Sequence, residues 1–131
     1  MSSRIQRNTD SPYPGISDSV RVGAGDLLFV SGAIGFEEDG STPDDFGREV
    51  ELTLRQLERA LAAGGASLAD LVRVTVYITG LDQDRFVTYR TVRDTIIDTA
   101  AEPPASTVVG VERLFRGARI EIDAIAAPTG A

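Results

Sequence analysis

The chain has 131 residues, 42% hydrophobic and 25% charged, and its 13 basic and 20 acidic side chains leave a net charge of −7. That length holds one domain with a real core, residues 1–131, and the acidic balance argues against a nucleic-acid partner. With no cysteine and no histidine, disulfides, thiol catalysis, a Ser-His-Asp triad and the commonest zinc ligand are excluded. Chemistry is left to carboxylates, arginine, tyrosine, hydroxyls, backbone amides and water.

Residues 1–15 read as a poorly ordered or edge-bound extended segment, with Pro12 and Pro14 fixing its path. Met1 to Ser11 is polar and lacks the apolar core of a secretion signal. No run approaches the ~20 apolar residues of a membrane span, so the expected location is the cytoplasm. Val20 and Val22 alternate with Ser19 and Arg21 as a short strand. A turn around Gly23, Gly25 and Asp26 leads to a second strand, Leu27 to Val30, and the two are expected to form a hairpin.

Gly32 and Gly35 lie close enough to mark a place where backbone approaches something tightly. Two readings stay open for them: a strand bulge, or exposed amides facing a ligand. Thr42-Pro43-Asp44-Asp45 signals a helix start, with Thr42 as cap and Pro43 at the first helical position. Phe46, Val50, Leu54, Leu57 and Leu61 follow at helical spacing, and Gly64-Gly65 stops the helix.

Leu71 to Ile78 alternates as a strand. Val72, Val74, Val76 and Ile78 share one face; Arg73, Thr75 and Tyr77 share the other. A second helix is expected over about 82–98. Pro103-Pro104 breaks the pattern, and strands follow over 106–111 and 119–126. The order β-β-α-β-α-β-β is an α+β layout with two helices on one face of a sheet.

Four segments together resemble the Rid (YjgF, RidA-type) family of reactive intermediate and imine deaminases. They are Val22-Gly23 through Leu28-Phe29-Val30-Ser31-Gly32; the helix-turn-strand from Leu61-Ala62-Ala63-Gly64-Gly65 to Val74-Thr75-Val76-Tyr77-Ile78; the helix pattern from Phe86 to Ile97; and the closing Arg119-Ile120-Glu121-Ile122-Asp123-Ala124-Ile125-Ala126. The match covers about residues 23–126 in order. It implies a chorismate-mutase-like protomer and a homotrimer with a central barrel of sheets. A small-molecule cleft lies at each subunit interface, and neither metal nor cofactor is needed.

Active relatives hydrolyse imines of 2-amino acids. On that resemblance Glu121 is the water-positioning carboxylate, Gly32 the ligand-facing glycine, and Thr107 a lining residue. From the strand pattern alone, Glu121 and Asp123 could equally keep a solvated face wet, with Ile120, Ile122 and Ala124 on the core side. Thr107 could be an ordinary β-branched strand residue.

One departure stands out. Where the family carries its substrate-binding arginine, the chain reads Pro103-Pro104-Ala105-Ser106, so Ala105 takes that place. A methyl supplies nothing of a charge-assisted bidentate contact, which argues against a standard 2-imino-acid deaminase. The family's early tyrosine is also missing from Gly15-Ile16-Ser17-Asp18-Ser19. Arg93 falls inside the apolar stripe of the second helix and Arg90 on its edge. Either they reach solvent or an acidic partner, or one rebuilds an anion site, with Arg90 the provisional contact. The functional expectation is a Rid-like hydrolase of a small reactive imine or enamine. The alternative is a non-catalytic trimer that binds a small metabolite; ribonuclease activity fits the charge least.

Overall fold

A computed structural model describes residues 4–10 and 12–129, with the elements β1 (Ile5–Asn8), β2 (Ser19–Val22), β3 (Leu28–Ala33), α1 (Phe46–Ala63), β4 (Leu71–Thr79), α2 (Gln83–Ile96), β5 (Ala105–Val111) and β6 (Ile120–Ala126). Part of the N-terminal segment is thus a strand. The expected hairpin of β2 with β3 does not form. β2 pairs antiparallel with β1 instead, with Ile5 opposite Val22. The turn between β2 and β3 wraps a side chain: the Arg4 guanidinium donates to the carbonyls of Asp26 (2.8 Å), Gly23 (3.4 Å) and Pro128 (3.0 Å). Gly25, at φ 144°, leaves the room in which that guanidinium lies. Held open in this way, the turn sends β3 to a different sheet.

That second sheet has the order β3-β6-β4-β5; β4 and β5 run parallel, joined by α2, and the other pairs are antiparallel. A parallel pair needs a long crossover, which a helix supplies. One sheet face carries Val74, Val76, Ile78, Ile120, Ile122, Ala124 and Ala126, all buried. Helix α1 covers it with Val50, Leu54, Leu57 and Leu61, each at most 1% exposed. Burying those four contributes on the order of 8 kcal/mol before entropy is set against it. Tyr89 of α2 and Ile97 join the same core. Among the described residues no helix is long and apolar enough to cross a membrane.

Helix α1 starts later than its sequence signal. The cap is Asp45, whose carboxylate accepts from the Arg48 N–H at 2.9 Å. Thr42 and Pro43 stay outside because the carbonyls of Pro43 and Asp44 are engaged by Arg119, at 2.5 and 3.4 Å. That arginine also pairs with Glu49, which is fully buried one turn into the helix. Glu49 accepts from Arg119 Nε at 2.6 Å and from the Arg119 backbone N–H at 2.7 Å. A buried carboxylate persists only with such partners, so this pair fixes the start of α1 against the start of β6.

Candidate functional site

Among the described residues no helix covers the other face of the four-stranded sheet. Alternation puts Glu121 and Asp123 of β6 there, with Arg73, Thr75 and Tyr77 of β4 and Thr107 of β5. Their core-side neighbours Ile120, Ile122 and Ala124 are 0–4% exposed, whereas Glu121 and Asp123 are half-buried. Register aligns them in rows: Thr107–Thr75–Asp123, and beside it Val109–Tyr77–Glu121. Ala105 lies in the next row, opposite Arg73.

Gly32 is in a bulge, where the pairing of β3 with β6 shifts between Val30 and Ala33. A Cβ built on Gly32 would overlap the Glu121 carboxylate, which occupies the side-chain space this glycine leaves empty. Bulge and close approach are therefore one feature. Gly35 has a separate reason: a Cβ there would run into the backbone of α1 at Leu52 and Thr53. Its N–H donates to Thr53 Oγ1 at 3.1 Å, and Thr53 Oγ1 donates to the Glu49 carbonyl at 2.8 Å.

Two contacts on this face were not foreseen. The Tyr77 hydroxyl donates to Asp123 Oδ2 at 2.9 Å. That bond and the nearby carboxylates hold the phenol above its ordinary pKa. Arg73 NH2 donates to Thr107 Oγ1 at 2.6 Å. The alternation of β4 and β6 places each residue on its face, but only the strand order and register bring them side by side.

Ala105 begins β5, half-buried, with the early segment beside it. Ser17 forms a parallel bridge to Ala105 and its N–H donates to the Pro104 carbonyl at 3.0 Å. The buried Ser17 hydroxyl donates to the Pro103 carbonyl. Arg90 lies elsewhere: it is exposed on α2, over the Phe86 ring at 5.2 Å. Within one protomer the helical layer and the sheet separate it from Glu121. Arg93 is buried and pairs with Asp94 at 2.9 Å, over the Tyr89 ring at 5.6 Å. Gly15, at φ 87°, leaves the space its guanidinium fills. Burial pushes the Tyr89 phenol up to about 12.

A groove of about 680 Å³ runs along α1, lined among others by Phe36, Glu37, Arg48, Leu52, Arg55 and Arg59. Its charges are largely spent on one another: Arg48 pairs with Glu37 (3.2 Å) and Glu51 (2.5 Å), and Arg55 pairs with Glu58 (2.9 Å). The groups with chemistry to offer are on the opposite face of the sheet.

The family model described as Endoribonuclease L-PSP matches residues 10–128. The RutC family protein YjgH of Escherichia coli K12 is 39% identical over 108 residues, 82% of this chain and 80% of that one. A protein of Dermatophagoides farinae named 2-iminobutanoate/2-iminopropanoate deaminase is 26% identical over 125 residues, 93% of this chain and 94% of the relative. The crystal structure of YyfB, a Rid-family protein from Yersinia pestis, superposes with a TM-score of 0.80 at 23% identity, covering 95% of this chain and 98% of that one. At that identity the likeness speaks for the fold, a chorismate-mutase-like α+β protomer. With the family model spanning nearly the whole chain and a relative at 39% identity, the chain belongs to the Rid/YjgF family.

Proposed function

We propose that the protein hydrolyses small reactive imines or enamines on the open sheet face, in a cleft completed by neighbouring copies in a homotrimer. The observation that carries this reading is the placement of the Glu121 carboxylate directly over the side-chain-free Gly32. Supporting the trimer, Phe29 on this face is 70% exposed and Val109 37%, an apolar area that suits burial against another sheet.

In this reaction a water held by Glu121 adds through its oxygen to the C=N carbon. The nitrogen takes two protons, one from the water as it adds and one from the adduct's hydroxyl as the C–N bond breaks, and the tetrahedral adduct collapses to a carbonyl compound and ammonia. Imine plus water balances product plus ammonia, with no oxidant or reductant. Glu121 relays both protons in turn from oxygen to the departing nitrogen. Thr107 lines the site. Because Ala105 offers only a methyl, the orientation an arginine there would impose on a 2-imino acid is absent. The substrate is accordingly expected to differ from the simplest 2-imino acids.

A single-turnover screen of imines and enamines with wild type and Glu121→Gln tests the proposal. Turnover lowered 10²-fold or more by the substitution, with melting temperature unchanged, is the expected result. Binding without turnover in both proteins would favour a metabolite-binding trimer, the reading that Ala105 supports. RNA cleavage dependent on Glu121 would overturn both, although a face with two carboxylates and one arginine is poorly suited to a phosphate backbone.

A further inference from the structure

We infer that Arg73 is the anion-binding residue of this site, and that the ligands it selects are small carboxylates. The inference rests on the location of the site proposed above. The four strands of the larger sheet read LFVSGA, LVRVTVYIT, ASTVVGV and IEIDAIA. Arg73 is the one cation in them, and it shares the open face with Glu121 and Asp123. In the parallel register it stands directly opposite Ala105. An arginine on β5 would crowd this position, whereas the Ala105 methyl leaves room for the Arg73 side chain to lean across β5.

The guanidinium uses that room. It reaches the next row and donates to Thr107 Oγ1 at 2.6 Å. A neutral hydroxyl takes one of five N–H donors and neutralises no charge. Among the described residues Arg48, Arg55, Arg93 and Arg119 each hold a carboxylate; Arg73 forms no ion pair, nor do Arg21, Arg59, Arg85, Arg90, Arg113 and Arg116, but none of those six stands in a strand of this sheet. Arg4 and Arg7 are committed to backbone carbonyls. Arg73 is thus an exposed cation with donors to spare on the sheet face that carries the candidate carboxylate.

The spacing suits a small ligand. The Thr107 row and the Glu121 row are two residues apart along β4, about 7 Å, and β5 and β6 lie two strand spacings apart, about 10 Å. A carboxylate on the guanidinium, a reacting carbon next to it and a water on Glu121 together span a gap of that order. Moving the cation from β5 to β4 keeps the attraction for an anion but brings it in from another direction. Anionic imines would bind, in an orientation particular to this chain.

The test uses the full chain, with 2-oxobutanoate as the probe and 2-oxobutanamide as its uncharged counterpart. Affinity is measured by calorimetry for wild type, Arg73→Met, Arg73→Lys, Arg90→Met and Glu121→Gln. Arg73→Met is expected to weaken 2-oxobutanoate tenfold or more without changing the amide. Arg73→Lys should lie between, and Arg90→Met should match wild type. Equal binding by wild type and Arg73→Met, loss at Arg90→Met instead, or no preference of wild type for the carboxylate would each overturn the inference. If Arg73→Met alters sedimentation, Arg73→Lys decides: weakened carboxylate binding with assembly intact supports the assignment, and unchanged binding refutes it. Anion binding that depends on Arg73 without any Glu121-dependent hydrolysis would sink the enzymatic reading and leave this one standing.

Discussion

Glu121 lies on a sheet face where most long side chains could reach solvent, and the missing side chain at Gly32 gives its carboxylate a fixed seat. Gly32→Ala is therefore expected to act on the carboxylate rather than on the fold. The atom it would strike is the far end of a flexible side chain, and Gly32 itself is exposed. Imine turnover should fall at least tenfold while Tm moves by no more than a few degrees, read by kinetics and thermal unfolding on the same sample. An unchanged rate would show that the seat does not matter. Arg93 teaches a different lesson at this scale. A charge within an apolar helix stripe needs a partner, and the adjacent Asp94 and the face of Tyr89 provide it. The helical pattern exposed the anomaly but could not say which partner resolves it.

At the scale of elements, the periodicities of β4, β6 and both helices were legible, because each buries one face and its sequence repeats with the period of its backbone. The ends were less so. Thr42-Pro43 is a sound start signal by local chemistry, yet α1 begins at Phe46 because Arg119, 76 residues away along the chain, holds the Pro43 carbonyl. β1 carries no strand signal in its sequence because Ile5–Asn8 is short and polar. It is held by its pairing with β2 and by Arg7, which donates to the carbonyls of Leu71 (2.9 Å), Pro103 (3.0 Å) and Ala69 (2.9 Å). The approach of the chain after β3 to α1 is close enough to be tested. Gly35→Ala would force a methyl against helix backbone at Leu52 and Thr53, which cannot swing aside. A loss of about 2–3 kcal/mol is expected, seen as a fall in Tm of roughly 10 °C. A shift under 2 °C would mean that β3 and α1 separate at little cost.

For the whole molecule, composition and burial combine into an unusual pH response. All 13 basic residues are arginine, and there is no lysine, histidine or cysteine. From about pH 6 to 9 no side chain at its ordinary pKa titrates, so stability should be flat. Above that, the tyrosines are the side chains that change charge. Tyr89 is buried, with its pKa raised from 10.0 to about 12. The folded state then holds a proton that the unfolded chain releases from pH 10 upward. The stabilisation is complete below pH 10 and is lost as pH rises through 12, about 3 kcal/mol in all. Denaturant unfolding at pH 8 to 12 should show that decline in wild type and a much shallower one in Tyr89→Phe. An equal slope in Tyr89→Phe would place the alkaline transition elsewhere.

The sequence by itself determined the class of fold, the two helices, the inward face of β6 and that of β4 from Val74 onward, and the residue types available for chemistry. These follow from local periodicity and from what the chain lacks. At the start of β4 a bulge between Leu71 and Arg73 buries Leu71 where the alternation put Val72. Only the tertiary structure decided which strands pair, because register is a relation between distant segments and a one-residue slip would turn every side chain to the other face. That pairing set Arg73 opposite Ala105, seated Glu121 over Gly32 and joined Tyr77 to Asp123. Within one protomer it also left Arg90 and Arg93 in the helical layer, because the helices must cover the apolar side of the sheet and the carboxylates stand on the other.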